Sequence, residues 1–425
     1  MNETRRRPWI VLLCFLVFFV ISFLTNILGP LIPDITSGFE LSLGLAGLLP
    51  FAFFIAYGVM SIPAGMLLER FGDRPVMLAA FGIACAGSLL FATLPTFQVA
   101  LASLFMIGIG MTMLQVAINP LLRVAGGEEH FAANAVIAQL VFGSASFLSP
   151  FVYSWLVTRL AGPEPPDGFL PGLLAGLVPP ALPWVSLYWI FAAVTLVMIA
   201  VLAMARLPRL ELTGDERAGP WAAHRELLRN PVVAPYFVAV FCYVGSEQGV
   251  ANWMSSFLAS YHGFDPQTAG ARAVAMFWGM MTVGCLLGLV LLRLHDCRRV
   301  LVAFTAAALA SLAAALFGPA TVAYYAFMLV GFFLSVMWSV IFSLALNSVP
   351  GHHGSFSGIL CTGIIGGAFM SFAVGWLGER FGLRVGMSLV FLSLAYVLAV
   401  GLRARPLIDN ATTTLRELLQ PLTRR

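Results

Sequence analysis

The sequence predicts an all-α membrane protein of twelve transmembrane helices, arranged as two six-helix halves built of inverted three-helix repeats. Three observations predict this fold class. The 425-residue chain is 60% hydrophobic and 10% charged, with a mean hydropathy of +0.94, whereas soluble domains carry about 25% charged residues. Its apolar runs recur at lengths of about 20 residues, the length a helix needs to cross a bilayer. A ten-residue motif occurs once in each half.

The apolar runs fall near 9–33, 44–68, 75–94, 97–121, 132–158, 183–205, 232–258, 268–292, 300–317, 320–347, 356–378 and 384–402. The first follows M-N-E-T-R-R-R and imitates a signal peptide. It continues beyond 20 residues to Pro33 without a small-residue cleavage site, so it reads as a span. The longest polar stretch, Leu207 to Asn230, divides six spans from six. The expected organisation is an N-terminal half at 1–206, a cytoplasmic linker at 207–230, a C-terminal half at 231–405 and a cytoplasmic tail at 406–425. Within the tail, Thr412 to Leu422 carries Leu415, Leu418 and Leu419 on one helical face. Ala161 to Pro183 reads as a Pro- and Gly-rich loop on the other membrane surface.

Charge placement sets orientation. All 23 basic residues are Arg. With the N-terminus inside, only Arg159, Arg272, Arg380 and Arg384 fall outside, so both termini are expected in the cytoplasm. The motif agrees: Gly65 to Arg74 reads G-M-L-L-E-R-F-G-D-R after span 2, and Gly375 to Arg384 reads G-W-L-G-E-R-F-G-L-R after span 11. Three-span repeats of inverted topology put these copies on opposite sides.

Several function classes are excluded. Without lysine there is no Schiff-base or P-loop lysine chemistry. No Ser-His-Asp order, H-E-x-x-H, C-x-x-C or glycine-rich phosphate loop is present, so no catalytic residues and no metal site are expected, and the chain is not read as an enzyme. Nothing points to nucleic acid. The six cysteines fall in spans or a short basic loop, which argues against disulfides. His352 and His353 sit in a cytoplasmic turn and read as solvated.

The polar residues inside the spans carry the functional reading. A carboxylate at mid-membrane costs about 2.5–3.5 kcal/mol on insertion scales. Of the nineteen acidic residues, Glu247 alone is placed at that depth, within F-C-Y-V-G-S-E-Q-G-V-A-N-W (241–253). Ser22, Thr25 and Asn26 share a face of span 1, and Thr112, Gln115 and Asn119 share one on span 4. Span 5 adds Asn134 and Gln139; span 7 adds Tyr243, Gln248 and Asn252; span 8 offers Trp278; span 10 offers Ser335, Trp338 and Asn347. A cavity of amides, hydroxyls and tryptophan suits a sugar, which accepts bidentate hydrogen bonds and stacks a flat apolar face. The alternative for each amide is an interhelical bond worth about 0.6 kcal/mol.

Particular stretches resemble a known family: G-P-L-I-P (29–33), F-F-I-A-Y-G-V-M-S-I-P-A-G (53–65), L-Q-V-A-I-N-P (114–120), Y-V-G-S-E (243–247), F-W-G-M-M-T-V-G (277–284), W-S-V-I-F-S-L-A (338–345) and G-I-I-G-G-A (363–368). In these the chain resembles the fucose–galactose–gluconate symporters of the major facilitator superfamily and their glucose-transporting relatives. The resemblance implies cation-coupled sugar uptake by alternating access, driven by H+ or Na+ and without another cofactor. It further implies a monomer in the lipid bilayer of the bacterial cytoplasmic (inner) membrane. Coupling would fall to Glu247. Substrate contacts would come from Thr25, Asn26, Gln115, Asn119, Asn134, Tyr243, Glu247, Gln248, Asn252, Trp278 and Trp338. Gly65, Glu69, Arg70, Asp73 and Arg74 would form a gating loop. The chain departs from the fucose-type pattern where Thr25 or Asn26 and Gln115 stand for acids, Cys285 for Arg, and Ile137 and Leu140 for amides. An exporter of amphipathic compounds and an uncoupled sugar facilitator are the competing readings.

Overall fold

The computed structural model describes residues 8–126, 131–162, 168–205, 221–349 and 353–404, and its described residues form helices without a strand. Most of the linker, the tail with its expected helix, and His352 lie outside those residues. Twelve long helices follow one another: α1 (Pro8–Gly38), α2 (Leu43–Phe71), α3 (Asp73–Thr93), α4 (Phe97–Gly126), α5 (Asn134–Leu160), α6 (Pro183–Met204), α7 (Val233–His262), α8 (Pro266–Leu294), α9 (Cys297–Phe317), α10 (Ala320–Leu346), α11 (Ser355–Phe381) and α12 (Leu383–Arg403). Eleven are long and apolar enough to cross a membrane. The other, α7, has 30 residues and reaches about 45 Å. Its middle is diluted by Ser246, Glu247, Gln248 and Asn252, so it has the length of a span without the uniform apolarity. The described end of the linker is helical, Trp221–Arg229, and the surface loop contains a short helix, Phe169–Ala175.

The helices pair in a pattern that repeats six helices later. In the first half α1 packs on α4 and α5, α2 on α4, and α3 on α4 and α6. In the second, α7 packs on α10 and α11, α8 on α10, and α9 on α10 and α12. The halves meet where α1 lies along α7, α2 along α11 and α5 along α8. One tie recurs with the pattern. Asn26 Nδ2 donates to Ser146 Oγ at 2.8 Å between α1 and α5, and Asn252 Nδ2 donates to Ser371 Oγ at 3.1 Å between α7 and α11.

Three spans are interrupted near their centres, α11 by a 3-10 turn at Gly363–Ile365 and the other two by breaks. The α1 helix breaks at Asn26 and Ile27, between Pro8–Thr25 and Leu28–Gly38. Pro30 has no N–H to return to the Asn26 carbonyl, which removes one helical bond at that turn. The α10 helix breaks at Ser335 and Val336, between Ala320–Leu334 and Met337–Leu346. Discontinuous helices at membrane depth are tolerated where they border a cavity or are buried in protein.

The two motif copies fold alike at opposite ends of the molecule. Gly72 and Gly382, the eighth residue of each copy, both take positive φ (80° and 88°), a turn that strains any residue with a Cβ. The second copy lies against the start of α2, where Glu379 reaches Ser42 and Gly44. The first copy lies at the far end of the 24-residue helix Leu48–Phe71, about 36 Å away.

Candidate functional site

Glu247 sits at the midpoint of α7. Tyr243, one turn before it, donates its phenol to Oε2, and Gln248 Nε2 donates to Oε1 at 3.0 Å. Both carboxylate oxygens are therefore held by neutral donors. The Tyr243 ring lies 6.2 Å from Trp338 of α10, which stacks on Phe342. Trp278 of α8 is 4% exposed and Ser335 of α10 is 5% exposed, and neither the indole N–H nor the Ser335 hydroxyl has a partner. A buried donor without a partner costs about 1–3 kcal/mol, so such atoms mark places where a ligand or water completes the bonding. Cys285, two turns along α8 from Trp278, sets its thiol against the Ser335 carbonyl at 3.3 Å.

The first half supplies a second polar group at the same depth. The Tyr57 hydroxyl donates to Gln115 Oε1 at 3.0 Å, joining α2 to α4. Thr25 of α1 lies beside that hydroxyl. Thr25, Tyr57, Gln115, Glu247, Trp278, Ser335 and Trp338 all fall within about a turn and a half of the midpoints of their helices. Gly367 of α11 is wedged between α7 and α2, where a Cβ would stand 3.1 Å from Gln248 Cγ and 3.2 Å from the Phe54 ring.

The remaining expected site residues are placed differently. Asn26 and Asn252 turn their amides to Ser146 and Ser371, as interhelical ties. Asn134 lies against Gly126, where a Cβ would meet its amide. That is eleven residues, about 16 Å, along α4 from Gln115, so Asn134 is not part of the central group. The Asn119 side chain lies outside the described residues. In the loop Gly65 to Arg74, Glu69 and Arg70 are exposed, and Arg70 covers the Phe71 ring at 5.1 Å. Asp73 is buried at the start of α3, and Arg74 donates to the Leu202 and Ala203 carbonyls, capping the last turn of α6.

One end of the bundle is closed by contacts between the halves. Asp34, 8% exposed at the end of α1, accepts from Tyr153 Oη of α5 at 2.7 Å and from Gln267 Nε2 of α8 at 3.2 Å. Glu379 Oε2 accepts from Ser42 Oγ and from the Gly44 N–H, both at 2.9 Å. Beneath these, Gly29 presses on the Ala251 carbonyl and Gly47 on the backbone of Phe372. Asp34, which sequence reading left among the span-end acids, is thus a buried carboxylate at the seam. Tyr57 was also missed as a site residue, since a tyrosine inside F-F-I-A-Y-G reads as apolar filler until its partner is known.

The sequence profile of the Major Facilitator Superfamily matches residues 14–364. A glucose/galactose transporter of Brucella abortus is 28% identical over 402 residues, covering 91% of this chain and 92% of the relative. The L-fucose-proton symporter of Escherichia coli is 26% identical over 391 residues, 87% of each chain. Among solved structures, the E. coli symporter FucP in its outward conformation superposes with a TM-score of 0.68 at 20% identity, covering 93% of this chain and 98% of that one. A bacterial homologue of the human lysosomal transporter Spinster, inward-facing and unoccupied, gives 0.74 at 16% identity, covering 95% and 97%. These last two likenesses are of fold.

Proposed function

We propose that this chain, which belongs to the Major Facilitator Superfamily, takes up a hexose together with a proton by alternating access around the Glu247 site. The observation that carries the reading is the carboxylate at mid-span with neutral donors on both oxygens, the Trp338 ring lying against its Tyr243 donor. An isolated carboxylate at that depth is expensive unless it exchanges a proton or meets a ligand. Tyr243 and Gln248 present hydrogens to its two oxygens, an arrangement that suits a proton better than Na+, which needs several oxygen lone pairs. Indole and phenol faces offer the flat apolar surface a pyranose ring stacks on. The names of the relatives, a glucose/galactose transporter and a fucose–proton symporter, support the same substrate class.

By the distribution of arginines, the end closed by Asp34 and Glu379 faces outward. The bilayer is then the bacterial inner membrane, with both termini inside and the chain working as a monomer. Thr25, Gln115, Tyr243, Gln248, Trp278 and Trp338 contact the sugar, and Glu247 couples its movement to the ion. The boundaries 1–206 and 231–405 delimit the rocking halves.

The test is current from proteoliposomes on a solid-supported membrane, challenged with a hexose panel at fixed pH with and without Na+. A neutral sugar moving with one proton carries net charge. A hexose-evoked current independent of Na+, and absent in Glu247→Gln, is expected. Uptake without current would leave an uncoupled facilitator, and no response to any hexose would sink the sugar reading.

A further inference from the structure

We propose that Asp34 is a proton-operated latch on the seam: the two halves close over its carboxylic acid and part over its carboxylate. This proton is separate from the one assigned to Glu247, and the inference does not depend on which solute the protein carries.

Asp34 is 8% exposed although it stands near the end of α1. The turn that follows it is covered at Gly38 by Leu182 and Trp184, so the closed seam separates the carboxylate from water. Among the described residues no cation pairs with it. From α5 comes Tyr153, whose hydroxyl lies 2.7 Å from Oδ2. From the start of α8 come Gln267, nearest Oδ1 at 3.2 Å, and the carboxylate of Asp265, close enough to repel it. The helices α7 and α6 and the start of α2 also pack on this part of α1, and they set no charged group against Asp34.

Only interactions that differ between the closed and the parted seam can make closure depend on a proton. The Tyr153 bond lies within the first half and persists in both. Three things change as the second half arrives. Water is excluded, which weighs against the charged form alone. Asp265 approaches, which weighs against it again. Gln267 brings a hydrogen bond, and this alone could favour the carboxylate. That bond is long and shared between the two oxygens, at 3.2 and 3.4 Å. An amide also carries both a donor and an acceptor. Turned over, Gln267 accepts the acid's O–H from Oδ1 through its Oε1, while Oδ2 goes on accepting from Tyr153. The bond across the seam therefore survives protonation, and dehydration and repulsion are left to decide. Both favour closure on the acid. With this end facing outward, the proton comes from the outer solution and returns to it.

The test is the distance between spin labels at Gln98 and Thr321, exposed positions at the starts of α4 and α10, in the full-length protein from pH 8 to pH 5 without solute. The ratio of parted to closed seam should fall at least about fivefold over that range, and by no more than roughly tenfold per pH unit, the limit for one proton. In Asp34→Asn the ratio should stay at its low, acid value at every pH. The amide makes both bonds of the acid, its oxygen accepting from Tyr153 and its nitrogen donating to Gln267 Oε1. Asp265→Asn keeps an oxygen for the Thr268 N–H and removes the charge, so it should flatten the response without abolishing it. This variant keeps the proposal falsifiable where Asp34→Asn fails to fold, which melting temperature and elution profile report. Glu247→Gln should respond to pH as the wild type does. A wild-type ratio that is flat or rises with acid would overturn the proposal, as would a response that survives in Asp34→Asn or is unaltered in Asp265→Asn. A response abolished by Glu247→Gln would place the proton there instead and overturn it too. None of these readings involves hexose, so a failure of the sugar reading leaves them unchanged.

Discussion

Asp34 and Gln267 lie 233 residues apart in the chain and hydrogen-bond across the seam between the two halves, at 3.2 Å. Tyr153 holds the same carboxylate from within the first half at 2.7 Å. Of these two bonds, only the one to Gln267 crosses between the halves and must break for them to part. Replacing Gln267 with Ala removes it and leaves the Asp34–Tyr153 pair. A single bond of this kind contributes about 1 kcal/mol, so the open population at that end should rise roughly fivefold. Spin labels at Gln98 and Thr321, one on each half near this end, would report the longer distance. An unchanged distance distribution would mean that the Asp34 contact does not hold the seam.

Glu379 offers an independent handle on the same equilibrium. It caps the backbone at Gly44 and accepts from Ser42, so Glu379→Ala removes two bonds between the halves. Loss of a cap costs about 0.5–2 kcal/mol. Since Glu379 and Asp34 share no partner, Glu379→Ala and Gln267→Ala should shift the population additively in free energy. A double variant no more open than either single one would show that both contacts belong to one cooperative unit.

Asp296 gives a pH-dependent test outside the spans. Its carboxylate caps α9 through the Arg298 N–H at 2.7 Å and pairs with the Arg298 guanidinium at 2.8 Å, which holds its pKa below the ordinary 3.8. A depressed carboxylate stabilises the fold above its unfolded pKa, and that contribution is lost as pH falls through the folded value. Asp296→Asn keeps the capping oxygen but not the charge. Its melting temperature should sit slightly below that of the wild type at pH 5–7, a gap that closes as the pH drops below about 4. The effect is small because the pair is about a third exposed and screened. A gap that widens with acid would contradict the assignment.

The spans, the paired halves and the mid-membrane acid were legible because they rest on local signals: run length, arginine placement and one charged residue in an apolar stretch. The opposite placement of the two motif copies followed from the same counting. Partners were not legible. Asn26 and Asn252 have the spacing of ligand contacts, yet each finds a serine about 120 residues downstream, and no periodicity separates the two outcomes. Asp34 read as a span-end acid because its burial is supplied by Tyr153 and Gln267, which the fold alone brings to it. The break in α1 is different in kind: Pro30, four residues after Asn26, is a local signal for it, although the sequence was read there as one unbroken span.

Trp338 is the residue whose loss should separate stacking from hydrogen bonding in the central site. It contacts Tyr243 at 6.2 Å and stacks on Phe342 at 5.5 Å, so its ring is held on one side by protein. Trp338→Phe keeps an aromatic face of smaller area and loses the indole N–H; Trp338→Ala loses the face as well. Aromatic contact adds about 0.5–1.5 kcal/mol beyond area burial. If the solute stacks on this ring, KM for hexose should rise only about two- to threefold in the Phe variant. It should rise more than tenfold in the Ala variant, while the Tyr243–Glu247 bond and therefore proton coupling persist. The measurement is uptake kinetics together with the ratio of charge to sugar moved. Equal losses in both variants would assign Trp338's role to its N–H rather than its face. A changed charge-to-sugar ratio would show instead that Trp338 serves the Glu247 carboxylate, acting through Tyr243.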